Sequence, residues 1–180
     1  NLYYVMLNLT KLADVTLLIA DETPLSNITY LTGTPLTHAA VCITKSGPKL
    51  YLSPLDAGKK ASIPSQVLLT PLSNLLKPLK PKIIGLDFEH TPVLRLNKLK
   101  KIFPHTRFVD ISQDFANMRM IKQKHELALL KRAAHIANRA YMKMLNSFDY
   151  KTEADVKAVH EYEMSKQDAS PSFPTIVASG

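Results

Sequence analysis

Proline placement is the feature that most constrains how this 180-residue chain can fold. Ten of its twelve prolines lie in the first 104 residues, none lies between His105 and Ser170, and Pro171 and Pro174 follow. A proline inside a helix removes a donor and clashes with the preceding turn. The first part is therefore expected to fold as short elements separated by loops, and the middle as long helices. Hydrophobic residues make up 46% and charged residues 21%, so the chain can build a core and does not have the composition of a disordered protein. No apolar run approaches the roughly 20 residues needed to span a bilayer, and the N-terminal residues lack a basic-then-apolar leader pattern. The first residue is Asn1, which suggests processing or a segment of a longer product.

In the first part, Val15 to Ala20 is a continuous apolar run, expected as a buried strand. The runs His38 to Thr44 and Lys49 to Ser53, joined by Lys45-Ser46-Gly47-Pro48, read as a hairpin. Gln66 to Thr70, Lys82 to Leu86 and Arg107 to Ile111 read as three more strands. Helices are expected at Leu55 to Ala61, Ser73 to Lys80 and Pro92 to Phe103, the last with Thr91 as N-cap and Pro104 as stop. Strand–helix alternation of this kind predicts an α/β fold with a mixed sheet flanked by helices.

The second part predicts one long helix over Lys122 to Leu145. Its apolar stripe is Leu127, Leu130, Ala134, Ala137, Tyr141 and Leu145. A second helix is expected from Thr152 to about Lys166, opened by a Thr152–Asp155 capping box. The stretch Pro171 to Gly180 reads as a loop entering a strand at Thr175 to Ser179. Such a strand would leave an unpaired edge.

The residues offer little chemistry. Five scattered glycines exclude a G-x-G-x-x-G turn, a P-loop and a G-x-S-x-G elbow. The single Cys42 excludes a disulfide framework, suits a reducing cytoplasm, and reads as a buried structural thiol. His160 to Met164 (HEYEM) has Met164 where a zincin needs its second histidine, so His160 and Glu161 read as helix surface. Asp87, Glu89 and His90 follow a strand, a place where α/β proteins build sites, yet each also has a structural reading there. His38, His105, His125 and His135 show no ligand spacing. The net charge of +8 comes from scattered or paired basic residues with few aromatics among them and no Trp, which argues for a solvated surface rather than nucleic-acid binding.

Five segments in order carry a resemblance. They are SNITYLTG (Ser26 to Gly33), IIGLD (Ile83 to Asp87), MRMIKQKHELALLKRAAHIA (Met118 to Ala137), KTEADVKAVHEYEM (Lys151 to Met164) and PSFPTIVASG (Pro171 to Gly180). Together they resemble the N-terminal half of the creatinase, prolidase and aminopeptidase P family, the pita-bread metallopeptidases. Arg119, Ile121, Lys122 and Glu126 match its R-x-IK-x-x-x-E pattern. Asp168, Ala169 and Ser170 stand where many members carry a Gly-Ala pair.

The resemblance implies a creatinase-type N-terminal α/β domain over residues 1–116. Residues 117–180 would then form the start of a pita-bread catalytic domain, contributing two helices and one strand of an incomplete fold. It implies peptide hydrolysis next to proline by an Xaa-Pro aminopeptidase or Xaa-Pro dipeptidase that uses two divalent metals. The metal ligands and the catalytic histidine would follow Gly180, so no catalytic or metal-binding residue is expected in this chain, and no metal bound to it. Phe173 and Ile176 are implied as apolar walls beside the scissile bond, or else as strand core. The implied partners are proline-containing peptides and a second copy in a homodimer, with neither nucleic acid nor membrane, in the cytoplasm. The alternative is a non-catalytic binding or assembly module derived from that family.

Overall fold

A computed structural model of the chain describes residues 8–67, 71–147 and 149–179. The chain divides into two compact units, Asn1–Ile121 and Lys122–Gly180. Position 116, where the sequence reading ends its first domain, falls inside a helix of the first unit.

The first unit is built on one six-stranded sheet. Its strands are β1 (Val15–Asp21), β2 (His38–Thr44), β3 (Gly47–Leu52), β4 (Ser65–Val67), β5 (Ile83–Leu86) and β6 (Arg107–Asp110), in spatial order β4-β3-β2-β1-β5-β6. β2 runs antiparallel to β1 and β3, while β1–β5, β5–β6 and β3–β4 are parallel pairs. All six expected runs are in this sheet; the end of the run Gln66 to Thr70 lies outside the described residues. The expected hairpin is present, with Thr44 paired to Gly47 across Lys45 and Ser46.

Alternation along the strands divides the core in two, because successive side chains point to opposite faces. Leu18, Ala20, Val41, Ile43, Leu50 and Leu52 face one buried cluster that also holds Ile28, Leu31 and Phe115. Val15, Leu17, Cys42, Ile84 and Leu86 face the other, with Leu76, Leu99 and Phe103. Covering both faces explains why β1 and β2 read as continuous apolar runs. Cys42 is buried as expected, and desolvation, partly offset by Lys49, raises its thiol pKa to about 11.

The helices depart more from expectation. Helix α1 (Ser26–Thr32) carries the SNITYLTG segment, whose β-branched and aromatic residues have low helix propensity; burial of Ile28 and Leu31 overrides it. Leu55 to Ala61 is not a helix. Only a 3₁₀ turn, Pro54–Asp56, forms, because the Asp56 carboxylate reaches back to the amides of Thr37 and His38 and Gly58 is left-handed at φ 91°. Helix α2 (Leu72–Leu76) tightens into a 3₁₀ turn at Lys77–Leu79, where Pro78 cannot donate to an α-helical ladder. Helix α3 (Val93–Ile102) is entered through Pro92, whose carbonyl accepts from the Arg95 and Leu96 amides; Thr91 does not cap it. Helix α4 (Ser112–Met120), absent from the sequence reading, buries Phe115.

In the second unit, α5 (Lys124–Leu145) packs against α6 (Glu153–Ser165). Gln123 and Glu126 make a capping box that starts α5 two residues later than expected. The predicted Thr152–Asp155 box is present, the Asp155 amide donating to Thr152 Oγ1 at 3.2 Å and the Thr152 amide to Asp155 Oδ2 at 2.9 Å. The expected stripe is not the buried one. Leu127, Leu130 and Tyr141 are about half exposed, whereas Ile136 and Ala140 are buried. The expected strand at Thr175 to Ser179 is not formed; residues 174–179 carry no regular structure. A strand needs a ladder partner, and the described residues of this unit contain none. Instead the Ser179 amide and hydroxyl donate to Glu153 Oε1 at 2.7 and 2.9 Å.

Gly85 tests the packing. A Cβ there would stand 3.0 Å from Ile111 Cγ2 and 3.3 Å from both Ala13 Cβ and Thr16 Oγ1. Gly85→Ala is therefore expected to overpack this layer and cost about 1–3 kcal/mol, read as a lower urea midpoint with an unchanged m-value.

Candidate functional site

The polar groups of the first unit meet at the C-terminal edge of its sheet. Asp87 follows β5 and is 2% exposed. Three elements turn side chains toward its carboxylate. Asn27 of α1 donates from Nδ2 to Oδ2 at 2.6 Å. The Ser112 hydroxyl, at the start of α4, donates to Oδ1 at 3.0 Å. His90 Nδ1, in the turn after β5, stands 2.8 Å from Oδ2. Arg119, at the far end of α4, donates to Asn27 Oδ1 at 2.6 Å, which aligns the amide with its NH₂ toward Asp87.

Asp110 extends the network from β6. Its Oδ1 lies 2.5 Å from the Ser112 hydroxyl and accepts the Ser112 and Phe88 amides at 3.0 and 3.3 Å. The Ser112 hydroxyl, outweighing desolvation, and these backbone amides hold the Asp110 pKa below the usual carboxylate range. The result is a clasp that ties α1, β5, β6 and α4 at one sheet edge. It joins the segments SNITYLTG, IIGLD and MRMIK through Asn27, Asp87 and Arg119. Sequence reading recognised these segments separately; Arg119 was named only as part of the R-x-IK-x-x-x-E pattern, and Asn27, Ser112 and Asp110 were not singled out. The signal that was available is Asn27, a polar side chain flanking the apolar Ile28 and Leu31.

Asp87, Glu89 and His90 are the described residues that could together hold a cation, with ligand atoms within 4.8 Å of one another. They do not fit a two-metal centre. Both Asp87 oxygens already accept bonds from its own fold, Oδ2 is the atom that faces His90, and two remaining groups cannot enclose two ions. Asp87 and His90 thus take the structural role that was one of their two readings. Phe173 and Ile176 lie in the irregular stretch of the second unit, 66% and 81% exposed. His160 and Glu161 are half-exposed on α6, and Glu161 lies 3.9 Å from Lys157.

Substituting Asp87 by Ala strands the buried Asn27 amide donor, while the Ser112 hydroxyl keeps Asp110 Oδ1 at 2.5 Å. The expected cost is about 1–3 kcal/mol, from one unsatisfied buried group, read by urea denaturation. The acid limb of stability has a defined sign. Asp110 and Asp56 both have folded pKa values below their unfolded ones; at Asp56, burial opposes the shift but the Lys59 bond and the His38 and Thr37 amides outweigh it. Their contribution is complete above the ordinary carboxylate pKa of about 4 and disappears as pH falls through the lower folded values. Asp110→Asn is expected to lower stability at pH 7 and to flatten its dependence below pH 4, read from denaturation midpoints across that range.

The creatinase/prolidase N-terminal domain family matches residues 10–121. An Xaa-Pro dipeptidase of Pyrococcus horikoshii is 29% identical over 161 residues, covering 86% of this chain and 45% of the relative. An Xaa-Pro dipeptidase of Pyrococcus furiosus is 26% identical over 163 residues, 86% of this chain and 46% of the relative. Among solved structures, an X-Pro aminopeptidase of Thermotoga maritima superposes with a TM-score of 0.80 at 21% identity, over 90% of this chain and 49% of that one. The chain spans about half the length of the relatives it matches. The family match covers the sheet and the clasp through the end of α4, and the chain belongs to the creatinase/prolidase N-terminal domain family.

Proposed function

We propose that this chain is the N-terminal portion of a proline-specific metallopeptidase, an Xaa-Pro aminopeptidase or Xaa-Pro dipeptidase. The observation that carries the reading is the 29% identity to an Xaa-Pro dipeptidase over 86% of the chain, which runs beyond the N-terminal family match. In this reading the first unit is the creatinase-type domain, and the second is the beginning of the catalytic domain. The chemistry of two divalent metals belongs to residues other than those described here, since the Asp87 group does not fit them. Hydrolysis by a metal pair needs several carboxylate and imidazole ligands converging around two ions. The role of this portion is then to shape substrate access and subunit contacts.

Phe173 and Ile176 are the residues we assign to the pocket that receives proline. Proline presents an apolar ring and no amide hydrogen, so apolar walls suit it. Their present exposure is consistent with side chains that wait for a partner surface. A homodimer would supply one, and the half-exposed Leu127, Leu130 and Tyr141 of α5 would add apolar area to such a contact.

The reading is tested first on the reading frame. Past Gly180 it is expected to continue into Pro-His and then metal-binding carboxylates; a stop codon there would favour a binding module. Assayed alone with manganese, cobalt or zinc on Xaa-Pro substrates, the 180-residue chain is expected to release no N-terminal residue. Metal-dependent release that co-purifies with the chain would overturn that. Sedimentation at micromolar concentration is expected to show a dimer, and a clean monomer would remove the subunit-contact role from this portion.

A further inference from the structure

Two helices cover one face of the sheet without closing over it. α2 leads into β5 and α3 leads away from it, and both pack on the cluster that holds Val15, Leu17 and Leu86. Their facing sides are apolar, with Leu72 and Leu76 on α2, Leu99 and Ile102 on α3, and Ile19 of β1 at the base. α2 is too short to fill the space between them. Pro71 precedes it, and Pro78 stands in the 3₁₀ turn that ends it. A recess of about 420 Å³ remains. That volume lies in the range of ligand clefts, roughly 300–1,000 Å³, and apolar walls with a few polar groups are the usual lining of such clefts.

The charged groups at this recess have one sign. Arg95, Lys98, Leu99 and Ile102 follow the spacing of a single helix face, so the two cations border the apolar trough. The Arg95 side chain is 31% exposed and pairs with Asp21 through Nη2. A guanidinium has five donors, so this pairing leaves others to meet a ligand. Lys98 is exposed and forms no ion pair among the described residues. Among the described residues, no carboxylate lines the recess. The helix rise from Arg95 to Ile102 makes the trough about 10 Å long. A helix about 10 Å across and equally long would need roughly 800 Å³. The recess offers about half of that, so its occupant is narrower than a helix.

We infer that this trough binds a medium-chain carboxylate, its alkyl chain lying along Leu72, Leu76, Leu99 and Ile102 and its carboxylate meeting Lys98 and Arg95. The chain leaves water on apolar walls, and the carboxylate accepts charge-assisted bonds from both cations. A neutral chain of the same length gains only the first of these contributions. A cationic amphiphile brings like charge to the rim. A second copy is a poor occupant for the same reason, because two such faces meeting would set their cations against one another.

The test is titration of the 180-residue chain with octanoate, followed by amide chemical shifts in two-dimensional ¹H–¹⁵N NMR, which reads affinity and location together. Saturable shifts are expected at Leu72, Leu76, Lys98 and Leu99. Octanoate should bind at least about fivefold more tightly than hexanoate, since two further methylenes leave water. It should bind at least about tenfold more tightly than octylamine, and a few-fold more tightly than octanol. Lys98→Glu should weaken octanoate at least about fivefold and leave octanol within about twofold. Leu94→Asp, an exposed change at the trough wall, should weaken both ligands. Lys131→Glu on α5, an equal change of net charge, should alter neither. Shifts that do not saturate, or that centre on Leu127, Leu130 and Tyr141 of α5, would overturn the proposal. So would equal binding of octylamine, or an unchanged octanoate affinity in Lys98→Glu. Shifts of the trough amides with protein concentration alone would assign the face to a second copy, and tighter binding of an acidic amphipathic peptide would assign it to a protein partner; either result also overturns it.

Discussion

A buried carboxylate organises the first unit. Asp87 is removed from water at the end of a central strand, and an isolated charge in that position is costly unless its oxygens are bonded. Two neutral donors and the His90 ring meet that requirement, and each comes from a different part of the chain. Satisfying one side chain therefore fixes where α1 lies, where α4 begins and how the turn after β5 closes. Arg119 adds to this at one remove. By holding Asn27 Oδ1 it fixes which end of the amide faces the carboxylate, so the end of α4 is set by the same interaction that sets its start.

The sheet was legible because burial on both faces leaves a plain mark in sequence. β1 and β2 are apolar at nearly every position, and proline and glycine separate the runs. The helices were less legible where packing outweighs propensity. Ser26–Thr32 contains residues that individually favour strands or turns, and it is helical because Ile28 and Leu31 fill one core cluster. Ser112–Met120 buries Phe115 but has no strong periodic stripe to betray it. On α5 the apolar residues occupy more than one face, so periodicity alone could not choose between Leu127–Leu130–Tyr141 and Ile136–Ala140.

The clasp was only partly legible. Its three motifs are recognisable one by one, but a bond from Asn27 to Asp87 spans 60 positions and one from Arg119 to Asn27 spans 92. No local pattern encodes such pairings; they follow from parallel β1 and β5 lying side by side with α1 and α4 at the same sheet edge. Asp87 and His90 illustrate the ambiguity well. A carboxylate and an imidazole after a strand leave a metal site open on sequence although the structural reading is the stronger, and the donors around Asp87 show the structural use.

The same strand order explains why the two ends of the unit differ in what they can still do. At the C-terminal edge, connections return through α1, the Asp56 turn and α4, so acids and amides there find partners inside the fold. At the opposite edge the chain crosses through short proline-bearing turns, 77–82 and 103–107, which spend their backbone groups on one another and leave their long cationic side chains in water. Lysine loses rotamer entropy when it is held, so these exposed side chains gain little from a fixed partner. A fold that engages Asp56, Asp87 and Asp110 internally at one edge, and leaves Lys77, Lys80, Lys100 and Lys101 exposed at the other, is thereby polarised.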